Sequence, residues 1–175
     1  MFHNWNNRTL FILMIFLSMN LYTLSVSQEL VWNDEFNDAV LDKKKWDQPE
    51  YNRRNNNAGP DGWWLKEDSY LDGQGHLIIR ARKIENRNSD SDPYDYSTGA
   101  VRTLGKFEQK FGKFEIRCQL PTQPGWWVAF WLFAEGVHHE DESGRDGTEI
   151  DIFEGFGWTD KMQHALHWDG YGDKH

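Results

Sequence analysis

Three carboxylates fall within six consecutive positions of an otherwise apolar stretch, Glu149-Ile-Asp-Ile-Phe-Glu154. In a regular strand alternate side chains share a face, so Glu149 and Asp151 point together while Ile150 and Ile152 point into the other layer. Glu154 then falls on the wrong side. One inserted residue, a β-bulge at Ile152 or Phe153, returns it to the face of the other two. Like charges that close cannot all ionise cheaply, so one carboxyl should keep its proton near neutral pH while another stays anionic. Glycoside hydrolysis requires that division of labour. A retaining mechanism uses one carboxylate as nucleophile and a second carboxyl as acid and then base, their oxygens roughly 5 to 5.5 Å apart. At about 3.3 Å per residue, positions 149 and 154 lie farther apart than that along a straight strand. Curvature, the bulge and two long glutamate side chains must close the gap. By pattern alone, a solvated acidic strand face would read the same.

The neighbourhood favours chemistry. Upstream lies Gly125-Trp-Trp-Val-Ala-Phe-Trp-Leu-Phe133, and downstream lies His164-Ala-Leu-His-Trp-Asp-Gly-Tyr-Gly172. Indole faces stack on the C–H faces of sugar rings while neighbouring acids bond the hydroxyls, and Trp127 and Trp131 are the best placed to do so. Some of these tryptophans must be core, because the run is too apolar for every member to face solvent.

The elements that position these residues read as all-β. Gly73-Gln-Gly75 separates two runs, and Leu77 to Arg82 alternates Leu77, Ile79 and Ala81 against Arg80 and Arg82, as one half-buried strand would. Phe107 to Leu120 repeats the pattern, broken by Gly112 as a hairpin turn requires. Cys118 alternates with Phe114, Ile116 and Leu120, which predicts an inward-facing side chain. It is the only cysteine, so no intramolecular disulfide forms. The polar stretches Ile84 to Asp95 and His138 to Gly147 read as loops. No helical period is sustained in the mature domain, and there is no internal repeat and no second domain. Short strands with frequent aromatics fit a β-sandwich or jelly roll.

Four segments carry a resemblance to a known family. Tyr96-Ser-Thr-Gly-Ala-Val-Arg-Thr103, Lys106 to Arg117, Gly125 to Phe133 and Glu149 to Glu154 follow one another as in glycoside hydrolase family 16, and the similarity runs from about Leu30 to the last residue. The two residues between Asp151 and Glu154 resemble the bulged branch of laminarinases, agarases and carrageenases rather than the lichenase and xyloglucan-transferase branch. The resemblance implies a concanavalin-like jelly roll with Glu149 as nucleophile, Asp151 as the residue tuning proton sharing and Glu154 as acid/base. It also implies His167 near the acid/base, an asparagine from Asn52 to Asn57 in the cleft, and further strands beyond Gly172, so that residues 28–175 form the N-terminal portion of a catalytic domain incomplete at its C-terminus. Two departures bear on substrate: Trp127-Val-Ala stands where laminarinases show Trp-Pro-Ala, and Ser97-Thr-Gly-Ala100 lacks their arginine. β-1,3-Glucan leads, a marine galactan (agar, porphyran or carrageenan) follows, and some relatives bind β-glucan without cleaving it. No cofactor is required. Asn33-Asp-Glu-Phe36 resembles the opening strand, where some members hold a structural calcium ion; such an ion is compatible with this segment, but two oxygen donors do not make the site by themselves, and its remaining ligands would lie elsewhere.

Composition agrees. Arg8, the apolar run Leu10 to Leu17 and small residues at Ser25 and Ser27 form a secretory signal peptide over residues 1–27. Its apolar run is too short to span a bilayer, and Gln28 would leave no lipid-accepting cysteine at the mature N-terminus. We therefore expect a secreted monomer, extracellular or periplasmic, without stable membrane association after signal removal. The formal net charge of -9 argues against nucleic acid as a partner and weakly favours a neutral polysaccharide.

Overall fold

The computed structural model describes residues 28–52, 62–85, 95–156 and 160–171. The signal peptide, most of the Asn52 to Asn57 loop and most of the Ile84 to Asp95 loop lie outside them. The described residues contain nine strands and only 3-10 turns as helical structure, as the sequence predicts. The chain divides into two compact units, one ending at Lys110 and the other beginning at Phe111.

In the first unit, β1 (Tyr51–Asn52), β2 (Trp63–Trp64), β6 (Tyr96–Thr98) and β5 (Ala81–Lys83) form a sheet in that order. Strands β3 (Ser69–Leu71) and β4 (Leu77–Ile79) form a separate hairpin. Its turn is Gly73-Gln-Gly75, where both glycines take positive φ and Asp72 Oδ1 accepts the Gln74 and His76 amides.

The predicted single strand Leu77 to Arg82 is two strands. At Arg80 the chain changes partner: its amide donates to the Asp68 carbonyl and its carbonyl accepts from the Gly99 amide, each at 2.8 Å. Ile79 is 53% exposed and Ala81 is exposed, so the alternation does not mark a buried face here. What it marks is an ion-pair row. Arg80 Nε and Arg82 Nε donate to Oδ1 of the fully buried Asp68 at 2.7 and 3.0 Å. Burial pushes the Asp68 carboxyl up, but the Ser97 hydroxyl beside it and the two guanidinium groups outweigh this and hold it below its ordinary value.

Near the start of this unit, Asp34 accepts the Phe36 amide and the Trp46 indole N–H at 2.9 and 2.8 Å, with Lys45 at 3.8 Å. Both of its oxygens thus face donors of the chain.

In the second unit, β7 (Val128–Phe133), β8 (Glu149–Gly155) and β9 (Met162–His167) form an antiparallel sheet with β8 in the centre. A 3-10 turn, Glu135–His138, follows β7 and buries Val137 completely. The loop that continues to β8 is closed at its base by Gly136 against Gly147. A Cβ on Gly136 would lie 2.0 Å from the Asp146 carbonyl oxygen, so this approach admits no side chain.

The predicted hairpin over Phe107 to Leu120 does not form among the described residues. Gly112 takes the positive φ of a turn, but residues 111–120 join no ladder. Alternation marks a chain able to form a strand, whereas a strand exists only with a partner. Cys118 is accordingly exposed rather than in a core.

Replacing Asp68 by Asn should lower stability by about 2 kcal/mol at pH 7, the usual worth of hydrogen bonds to charged groups. The lowered Asp68 pKa places its contribution above the unfolded carboxylate range, so the deficit should shrink as pH falls below about 4. Thermal melts of both proteins from pH 3 to 7 check this.

Candidate active site

The middle strand of the second unit carries the three acids, and its register decides where they point. Phe133 pairs with Glu149, Trp131 with Asp151, Phe130 with Phe153 and Ala129 with Glu154, so Ile152 has no β7 partner. On the other side Glu149 pairs with His167, Asp151 with Ala165 and Glu154 with Gln163. Three steps along β8 thus match two on each neighbour. Ile152 is the bulged residue, and the bulge places Glu149, Asp151 and Glu154 on one face, as the sequence predicts.

A bulge strips a carbonyl of its ladder partner, and the sheet supplies a substitute. His164 Nδ1 donates to the Ile152 carbonyl oxygen; because a carbonyl can only accept, that ring nitrogen carries the proton. On the opposite face, Ile150 is 41% exposed rather than packed into a second layer.

Each acid has its own surroundings. Glu154 is 7% exposed and accepts the Trp127 indole N–H on Oε1 at 2.8 Å and the Gln163 amide on Oε2 at 3.0 Å. Two donors fix its orientation. Glu149, half-buried, accepts the Tyr171 hydroxyl on Oε2. Asp151 is 2% exposed, and its Oδ2 takes no hydrogen bond. His167 Nε2 approaches that oxygen to 3.4 Å, close enough for an ion pair but too long for a normal hydrogen bond. Burial first, then the charges of Glu154 and Glu149, push the Asp151 carboxyl up to about 6, with His167 opposing. The central carboxyl, Asp151, is thus pushed well above its ordinary value.

Of the predicted stacking residues, Trp131 lies on the acid-bearing face opposite Asp151, edge-on to Phe133 at 5.4 Å. Trp127 is 49% exposed beside Phe156 and also engages Glu154 through its N–H. His167 stands at the Glu149 and Asp151 end of the row rather than near Glu154, because it pairs with Glu149 in the ladder. That corrects its expected neighbour.

Tyr171, Gln163 and His164 were not singled out from the sequence. Gln163 and His164 have a legible signal in hindsight, since they sit on the strand that must face a bulge. Tyr171 has none, because its position depends on a tight turn. Asp169 and Gly170 both take positive φ, the Gly170 amide donates to the Val137 carbonyl at 2.6 Å, and the buried Asp169 accepts the Asp141 amide at 3.1 Å. These bonds anchor the turn on the loop between β7 and β8. The Tyr171 ring then lies 5.0 Å from His167 and 5.7 Å from His138.

The chain can be set beside known proteins on this geometry. Residues 60–175 match the family model described as glycosyl hydrolases family 16. The chain is 33% identical over 150 residues to a beta-glucanase of Rhodothermus marinus, covering 78% of itself and 47% of that protein. It is 30% identical over 144 residues to a keratan-sulfate endo-1,4-beta-galactosidase of Sphingobacterium multivorum, covering 79% of itself and 32% of the relative. Among solved structures it resembles the catalytic domain of an endo-1,3-beta-glucanase (laminarinase) from Thermotoga petrophila, with TM-score 0.65 and 30% identity over 81% of this chain and 57% of that one. The chain thus spans less than half the length of these curated relatives. The fold likeness bears out the all-β jelly-roll expectation.

The raised Asp151 pKa has a defined sign. The folded state binds this proton more tightly than the unfolded chain, so stability is full below the ordinary value of 3.8 and is lost as pH rises through about 6. Asp151→Asn escapes the loss. Taking its stability relative to wild type at pH 4 as reference, the variant should gain by up to on the order of 3 kcal/mol above pH 6. Melting curves from pH 4 to 8 check it, and a difference independent of pH would contradict it.

Proposed function

The chain belongs to glycosyl hydrolases family 16, and on that premise we propose that it is a secreted, endo-acting, retaining hydrolase of a β-linked polysaccharide, with β-1,3-glucan as its leading substrate. The observation that carries the reading is the bulge at Ile152, which aligns three acids in one row beside exposed indole. Signal removal after residue 27 would release the protein outside the cytoplasm. No cofactor enters the reaction.

Glu149 attacks the anomeric carbon. Tyr171 engages one of its oxygens, so the other is available to the sugar. Glu154 protonates the leaving oxygen, and as a carboxylate it then takes a proton from the water that releases the covalent intermediate. Asp151 stands between them and moderates the charge of the row. With Asp151 neutral the row carries at most two negative charges, and when Glu149 becomes an ester the repulsion on Asp151 falls. Proton sharing across the row thus follows the reaction. Trp127 and Trp131 offer faces for a sugar ring, and Trp127 also holds the acid/base in place. His167 borders the ring bound next to Glu149.

The relatives point to two different sugars. The names of the Rhodothermus beta-glucanase and the Thermotoga endo-1,3-beta-glucanase (laminarinase) favour glucan. That of the keratan-sulfate endo-1,4-beta-galactosidase supports a galactan as the second reading. Reducing-sugar release from laminarin, mixed-linkage glucan, agarose and carrageenan separates them. We expect release from laminarin, loss of turnover to background in Glu149→Gln, and a fall of about 10²- to 10⁴-fold in Glu154→Gln. Release from a galactan alone would move the substrate to the second reading. Binding of laminarin without release, or full turnover in Glu149→Gln, would overturn the hydrolase reading.

A further inference from the structure

Three donors lie together at one end of the acid row: a Glu149 carboxylate oxygen, an Asp151 carboxylate oxygen and a His167 ring nitrogen are all within 4.8 Å of one another. Asp151 is 2% exposed, and its Oδ2 is buried without a hydrogen-bond partner while facing His167 Nε2 at 3.4 Å. That separation is informative. Two donors each about 2.0 to 2.1 Å from a zinc ion, the normal Zn–O and Zn–N lengths, are 3.4 Å apart when they subtend an angle of about 110°, the tetrahedral value. The oxygen lacking a donor and the imidazole nitrogen are already as far apart as two ligands of one tetrahedral ion would be.

We propose that Glu149, Asp151 and His167 form a binding site for a transition-metal dication, Zn²⁺ foremost, seated on the nucleophile. Three protein donors leave the fourth tetrahedral position to water or a sugar hydroxyl, the pattern of an open zinc site. One imidazole among the donors suits Zn²⁺ or Cu²⁺. Ca²⁺ would need six to eight oxygens, and Mg²⁺ takes octahedral oxygen shells. The Tyr171 hydroxyl on Glu149 acts as the outer-shell bond that orients a ligand. Access is open, because the His167 side chain is 29% exposed and Glu149 is half-buried. A dication there offsets the two neighbouring carboxylates and blocks attack on the anomeric carbon, so the metal would inhibit in competition with substrate. The inhibition rests on the proposed hydrolase reading; the binding does not.

A second group, His139, Asp141 and Asp146, also has donor atoms within 4.8 Å of one another, but all three residues are exposed and His139 is already paired with Asp146. It is the natural control. The experiment is calorimetric titration of the chelator-stripped full chain with Zn²⁺ alone at pH 7, without substrate. We expect one ion per chain, with affinity lowered at least about tenfold in His167→Asn and in Asp151→Asn, since even outer-shell partners are worth that much. His139→Asn should leave it unchanged. Melting curves in metal-free buffer show whether each variant folds, and Asp151→Asn carries the test if His167→Asn does not. No saturable uptake, equal uptake in both ligand variants, or loss of uptake in His139→Asn would overturn the site. Zinc uptake by a chain that leaves laminarin intact would keep the site and refute the glucanase reading instead.

Discussion

One extra residue in one strand is the constraint on which the acid row depends. Without the bulge at Ile152, Glu154 would share a face with Ile150 and Ile152, and Glu149 and Asp151 would stand without a third acid. With it, the rows across the sheet become Phe133, Glu149, His167; then Trp131, Asp151, Ala165; then Ala129, Glu154, Gln163. The cost is a carbonyl removed from the ladder, and His164 offsets it by donating a ring N–H to Ile152. The bulge is thus held by a side chain of the neighbouring strand rather than tolerated as a defect.

The second cost is electrostatic. Three acids on one face repel, and the sheet answers by treating them unequally. The outer two accept donors: Tyr171 on Glu149, Trp127 and Gln163 on Glu154. The middle one has the least solvent and no hydrogen bond on Oδ2, and burial together with the charges of Glu154 and Glu149 pushes its carboxyl up to about 6. Order matters here. The middle acid lies against both of the others, so it feels both of their charges. The loop between β7 and β8 contributes at a distance, since Asp169 and Gly170 tie the last turn to it and bring Tyr171 over Glu149.

The acid row was legible because its period conflicts with that of a strand, and a conflict of that kind has one simple resolution. Trp131 and His167 were legible by the same period, once the neighbouring strands were granted. The donors were not. Tyr171 reaches Glu149 only because two consecutive residues take positive φ, and nothing in residue type distinguishes that turn from a loop. Alternation misled where it stood alone. At Arg80 it concealed a change of partner, because Arg80 and Arg82 share a side on which both reach buried Asp68. At Cys118 it predicted an inward side chain on a segment that joins no ladder among the described residues. Periodicity reports which side chains share a face; what covers that face is decided by residues far away in sequence.

The central claim is that Glu149 and Glu154 act on one anomeric centre from opposite sides, and azide rescue tests it most directly. With an activated aryl β-glycoside of a laminari-oligosaccharide, Glu149→Gly supplied with azide should form the α-glycosyl azide, because azide replaces the nucleophile and attacks once. Glu154→Gly should form the β-glycosyl azide, because azide intercepts the intermediate on Glu149. The opposite pairing of anomers, or rescue of neither variant in a protein whose wild type is active, would contradict the account.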